Sequence, residues 1–174
     1  MRVLVLIEPL RDSWTTNAMD TWYDDMVAAA EKYRKAHHLA RLTWKKVHFT
    51  ATTAPKEIAP LFERTDAVIF LCNTEPSKDF AEFLRKIGWF ATKPNRLPGL
   101  RFGFVCIGKK DPKHWYFYRD ILRRGGSLGM TQLSPFLTWL KRKASREHEE
   151  FARELVRVSS RSARRERERM RLAA

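Results

Sequence analysis

Ten polar-rich residues stand between an apolar run and a helical pattern near the start of the chain: Glu8-Pro9-Leu10-Arg11-Asp12-Ser13-Trp14-Thr15-Thr16-Asn17. An arginine, a serine, two threonines and an asparagine, opening onto a helix N-terminus, suit an anion such as a phosphate. The hydroxyls and the amide donate hydrogen bonds, and the first helical N–H groups have no partner in the helix. The candidate anion-site residues are therefore Arg11, Ser13, Thr15, Thr16 and Asn17. Glu8 brings a negative charge to the same mouth. An ordinary polar turn with an N-cap is the competing reading of these residues.

Two further polar segments follow apolar runs. Asn73-Thr74-Glu75-Pro76-Ser77 comes after Ala67–Cys72, and Gly108-Lys109-Lys110-Asp111-Pro112 comes after Arg101–Ile107. The aromatics His114, Trp115, Tyr116 and Tyr118 come next. They suit either stacking on a planar ring or ordinary packing. Paired carboxylates, a Ser-His-Asp set and a nucleophilic cysteine do not stand out. The five histidines form no metal-ligand spacing, so no metal site is assigned.

The elements that would position these loops alternate. The pattern predicts strands at about Arg2–Ile7, Arg41–Phe49, Ala67–Asn73, Arg101–Ile107 and Ser127–Leu133. It predicts helices at about Ala18–His38, Pro55–Arg64, Lys78–Phe90 and Lys113–Arg124, and a last helix from near Ser145. Met1-Arg-Val-Leu-Val-Leu-Ile7 is apolar almost throughout, which argues for a strand buried on both faces of a parallel sheet. Arg41–Phe49 alternates through Leu42 and Trp44 and reads as an edge strand. Five strands interleaved with helices imply an α/β three-layer sandwich. The strand count favours the order 2-1-3-4-5, with ligands at the carboxyl ends of the strands. No G-x-G-x-x-G or G-x-x-x-x-G-K-[ST] occurs, so the two commonest nucleotide signatures are missing.

In order and spacing, the stretch from Arg2 to Leu133 resembles the flavodoxin-like superfamily, in its NADPH-dependent FMN reductase and quinone reductase branch. Pro9-Leu10-Arg11-Asp12-Ser13 occupies the place of that branch's G-S-x-R-x-x-S phosphate loop. Ser13-x-Thr15-Thr16-Asn17-Ala18 is similar to the flavodoxin T-x-T-G-N-T loop, although glycine is absent. Glu75, Pro76 and Ser77 fall where the branch has P-E-Y-N-x-S, with no tyrosine here. Phe83-Leu-Arg-Lys-Ile-Gly-Trp89 looks like its L-K-N-A-I-D-W helix. The resemblance implies an FMN-binding, NAD(P)H-dependent oxidoreductase with a quinone-like acceptor. It implies a phosphate held by Arg11, Ser13, Thr15, Thr16 and Asn17. The ring would lie between Thr74, Glu75, Pro76 and Ser77 on one side and Gly108, Lys109 and Lys110 on the other.

Charge points elsewhere. The chain has 174 residues and a net charge of +14. From Lys141 onward, 12 Lys/Arg face 6 Glu, so the basic excess is spread over both parts of the chain. Residues 1–158 are expected to form the sandwich domain, closed by a stripe of Phe151, Leu155, Val156 and Val158. Residues 159–174 are then an Arg-rich helical extension, polar all round. Its Arg161, Arg164, Arg165, Arg167, Arg169 and Arg171 suit RNA or another polyanion. The alternative function is thus a cofactor-free basic subunit of a ribonucleoprotein or other large assembly. Cys72 and Cys106 both fall in buried runs and read as reduced core thiols, implying an intracellular, reducing compartment. The apolar runs are too short to span a bilayer and the first one is too short for a secretory signal. A homodimer and membership of a larger complex both remain open.

Overall fold

Residue packing follows directly from the apolar runs. In the computed structural model, the described residues are 1–8, 13–49, 57, 60–62, 64–73, 82, 100–107, 131–140 and 149–161. They form β1 (Arg2–Ile7), α1 (Ser13–Ala36), β2 (Thr43–His48), β3 (Ala67–Asn73), β4 (Arg101–Ile107) and β5 (Thr131–Leu140). A further helical segment covers residues 149–161. The five strands make one sheet in the order β2-β1-β3-β4-β5. Every neighbouring pair is parallel. The expected order and the adjacency of the third and fourth strands are both present.

Alternation along each strand divides the apolar residues between two layers. Val3, Val5, Ile7, Ile69, Leu71 and Val105 face one side. There they meet Met19, Trp22, Met26 and Ala30 of α1, and Phe151, Ala152, Leu155 and Val156 of the segment 149–161. Leu4, Leu6, Val68, Phe70, Cys72, Phe102, Phe104 and Cys106 face the other side, with Phe49, Phe62 and Leu100. Because both faces are covered, β1 and β3 read as continuous hydrophobic runs. In the second layer Phe70 stacks on Phe104 with ring centroids 4.6 Å apart. The two thiols are register partners there, buried and not joined by a disulfide, with Sγ atoms 3.4 Å apart.

The ends of α1 differ from expectation. The helix begins at Ser13 rather than Ala18, so Ser13 to Asn17 lie within its first turns and not in a loop. Short polar side chains compete with the backbone in a helix interior, which is why they read as loop. Near a helix start the same side chains are favoured. At the other end His38 adopts a left-handed conformation, φ 51°. Leu39 N donates to Arg34 O and His38 N to Lys35 O, at 3.0 and 3.3 Å. Those two bonds are a Schellman closure with histidine where glycine is usual. Leu39 then packs back against the core.

The last strand is also corrected. It runs Thr131–Leu140, past the expected end at Leu133, while the expected residues 127–130 lie outside the described residues. Pro135 in its middle argues against a strand. The register against β4 shifts between Phe102 and Phe104, jumping from Gln132 to Leu137, so the proline falls in the irregular stretch. The strand is also at the sheet edge, where a missing N–H is tolerated. Of the expected apolar stripe, Phe151, Leu155 and Val156 are buried and Val158 is half-buried. The helices expected at 78–90 and 113–124 and the extension after Arg161 lie outside the described residues, apart from helical residue 82.

Gly103 marks where the segment 149–161 meets the sheet. A Cβ there would lie 3.1 Å from Phe151 Cζ and 3.4 Å from Leu133 Cδ1. Phe151 itself is wedged edge-on against Trp22, centroids 6.0 Å apart. Replacing Gly103 with Val should therefore cost about 1–3 kcal/mol, as for overpacked cores. Urea unfolding would measure it, and an unchanged midpoint would mean that Phe151 is free to withdraw.

Candidate functional site

The strand order changes direction at β1. One crossover leads from β1 through α1 to β2, and the next strand, β3, lies on β1's other edge. In such sheets the crevice outside the carboxyl ends of the two central strands is the ligand position. Here those ends are tied together. Glu8 N donates to Leu71 O at 2.9 Å and Phe49 N donates to Ile7 O at 3.2 Å. Ile7 and His48, the last residues of β1 and β2, therefore lie level with Leu71 of β3.

Glu8 is the unexpected feature. Its residue is fully buried. Its Oε2 accepts a hydrogen bond of 2.8 Å from Asn73 N, which spans the β1–β3 switch. Sequence reasoning noted only its charge. A carboxylate directly after the five-residue buried run Val3–Ile7 was the available signal, because a charge there must find donors. Changing Glu8 to Ala should cost about 1–3 kcal/mol, since it strips the part-buried Asn73 N–H of its acceptor. Thermal unfolding at neutral pH would measure the loss.

The three expected loops leave this same end of the sheet. Only four residues separate Glu8 from Ser13, so α1 starts beside the end of β1. Ser13, Thr15, Thr16 and Asn17 are all in its first turns, at the end where unpaired N–H groups and the helix dipole favour an anion. Arg11 lies between, outside the described residues. Thr74, Glu75, Pro76 and Ser77 follow Asn73, the last residue of β3, and Gly108, Lys109 and Lys110 follow Ile107, the last of β4. Asn73 and Ile107 are register partners. The fold thus starts these two loops side by side, while their own residues lie outside the described set. In the expected nucleic-acid group, Arg161 is exposed; Arg164, Arg165, Arg167, Arg169 and Arg171 lie outside the described residues.

A second polar cluster escaped the sequence reading. Asp20 Oδ1 on α1 accepts from Lys46 Nζ at 2.8 Å and lies 3.2 Å from His48 Nε2, both on β2. Lys46 also sits over the Tyr23 ring at 4.9 Å, and Tyr23 meets Trp44 edge-on. The period-two placement of Trp44, Lys46 and His48 brings all three to the α1 side of the edge strand. Burial pushes the Asp20 carboxyl up, but the Lys46 hydrogen bond and the His48 and Lys46 charges outweigh it, so it is held below its ordinary value. The Asp20 bond in turn raises Lys46, against its slight desolvation. A depressed carboxyl stabilises the fold above the unfolded pKa of about 3.9 and loses that contribution as pH falls through the folded value. Asp20→Asn should therefore lower stability by up to about 1 kcal/mol at neutral pH. The difference from wild type should shrink as pH falls below the ordinary carboxylate range, through the depressed folded value. Melting curves from pH 2 to 7 would show the two curves converging in acid.

No family model and no curated protein sequence matches this chain. Solved structures do match. A flavodoxin from Streptococcus pneumoniae TIGR4 superposes with a TM-score of 0.56 at 18% identity, over 89% of this chain and 97% of its own. The fold is flavodoxin-like. A short-chain flavodoxin associated with a non-canonical PDU bacterial microcompartment gives 0.60 at 12% identity, over 92% and 99%. An NADPH-quinone reductase from P. pentosaceus gives 0.57 at 13% identity, over 89% and 96%. Each similarity extends along nearly the whole of both molecules, so this chain is comparable to those proteins in extent as well as topology. Among its described residues, no helix is long and apolar enough to cross a membrane.

Proposed function

We propose that this protein binds FMN and acts as an NAD(P)H-dependent oxidoreductase on a quinone-like acceptor. What supports the reading most is the arrangement at the β1–β3 switch: α1 begins five residues after Glu8, with hydroxyl and amide residues in its first turns. That chemistry fits a phosphate. Ser13, Thr15, Thr16 and Asn17 would donate from the helix start, and Arg11 would supply the charge. Thr74, Glu75, Pro76 and Ser77, leaving β3, would flank one side of a planar ring. Gly108, Lys109 and Lys110, leaving β4, would flank the other. Bound flavin would supply the hydride chemistry, and the chain would hold, orient and screen it from water. The likeness to flavodoxins and to an NADPH-quinone reductase agrees with this reading. Residues 1–158 would form the flavin domain and 159–174 its Arg-rich extension.

Glu8 favours a second reading. Its carboxylate is buried at the same switch, where it opposes a phosphate dianion, and glycine is absent from Glu8 to Asn17. Under that reading the fold is a cofactor-free basic subunit of a ribonucleoprotein or other assembly. It would contact RNA through Arg161, Arg164, Arg165, Arg167, Arg169 and Arg171.

Titrating the purified protein with FMN, followed by flavin fluorescence, separates the two. Saturable binding, weakened by about 1.5–3 kcal/mol in Arg11→Ala, is the outcome expected of the flavin reading. A protein that purifies colourless and never quenches FMN belongs to the second.

A further inference from the structure

The opposite end of the sheet carries a row of arginines. Arg2 opens β1 and Arg101 opens β4; Arg41 stands two residues before β2, and Arg64 three before β3. Backbone bonds align these strand entries. Thr43 N donates to Met1 O at 3.0 Å, Asp66 N to Arg2 O at 2.9 Å, and Arg101 N to Asp66 O at 3.1 Å. Neighbouring strands are spaced by about 4.8 Å, so four entries span roughly 15 Å in a line. α1 ends on this edge too, since only six residues join Ala36 to Thr43, and it adds the exposed Lys35.

Arg2, Arg41 and Arg64 are exposed. Among the described residues, no hydrogen bond or ion pair engages their guanidinium groups. The acid in the row is Asp66, whose Oδ2 accepts from the Arg2 backbone N at 2.6 Å. Local structure accounts for other cations nearby: Arg34 pairs with Glu31, and Lys35 complements the helix C-terminus. A strand entry has no comparable need of a cation. Arg2, Arg41 and Arg64, at three consecutive entries, are left without a structural role among the described residues.

We propose that this row is a docking surface for the phosphate backbone of a nucleic acid. The exposed, unpaired guanidiniums of Arg2, Arg41 and Arg64 match a linear polyanion, and each can grip a phosphate through two N–H groups. The net charge of +14 would draw such a partner in. An anionic membrane is the poorer match, because the exposed residues of the row include no aromatic or large aliphatic side chain to enter lipid. The surface goes beyond the flavin reading and is independent of it, because it lies at the other end of the strands. Its residues are also distinct from those of the Arg-rich extension.

The test uses the full chain, a generic RNA hairpin and fluorescence anisotropy at several salt concentrations. The variant Arg2→Gln/Arg41→Gln/Arg64→Gln should bind about tenfold or more weakly, and its log–log salt slope should fall by about 2. Arg41→Gln alone, at an exposed connector position, should lower the slope by about 1. The control Arg153→Gln/Arg157→Gln removes two exposed charges from the segment 149–161 and should leave the slope unchanged. FMN titration of the first variant should match wild type, which keeps this test separate from the flavin reading. An unchanged slope in the row variants overturns the proposal. So does an equal loss in the control, which would mean diffuse charge attraction. Row-dependent binding to phosphatidylserine vesicles with none to RNA would overturn it as well.

Discussion

The constraint on which this molecule depends is the double burial of β1. Its residues Val3 to Ile7 are at most 1% exposed. Two strands flank it and an apolar layer covers each face. A strand with no free edge and no wet face has nowhere to place polar groups except at its ends. Polar chemistry is therefore pushed to the two rims of the sheet. The carboxyl rim receives Glu8 and the start of α1, and the amino rim receives the arginines. The hydrophobic effect that fixes the core thereby also decides where function can sit.

The two rims are electrically unlike for a reason intrinsic to the fold. α1 runs back across the sheet, so its positive end faces the carboxyl rim and its negative end the amino rim. At the carboxyl rim a buried carboxyl group stands five residues before the helix start. It is held by Asn73 N and by the packing around it, and it binds β1 to β3 across the switch. At the amino rim exposed guanidiniums crowd the strand entries. A flavin site at one rim and a polyanion surface at the other do not compete for space.

Much of the fold was legible in the chain because burial writes itself in periodicity. Ala67–Asn73 and Arg101–Ile107 are strands with the residues expected, adjacent and parallel. The misreadings share one cause: side chains whose local preference conflicts with their surroundings. Ser13 to Asn17 look like a loop and begin a helix, because the helix start rewards the polar groups that a helix interior penalises. Pro135 looks like a strand breaker and is absorbed by a register shift at a sheet edge. Of the candidate site, the three loop positions were legible from strand ends. The Asp20–Lys46–His48 cluster was not, because its members are 26 and 28 residues apart and meet only when β2 docks under α1.

By itself, then, the order of residues determined the class of fold, the strand order and the rim from which each polar loop departs. These follow from local hydrophobic periods and from the few ways an α/β chain can cover both faces of a sheet. The tertiary structure decided what each polar residue does. Glu8 spans the switch instead of facing a ligand in solvent, since Asn73 N comes within 2.8 Å of it. Asp20 is held ionised by two residues of another element. Arg2, Arg41, Arg64 and Arg101, scattered over a hundred positions, fall into one row because parallel pairing brings strand entries together. Long-range hydrogen bonding sets those distances, and no local period encodes it.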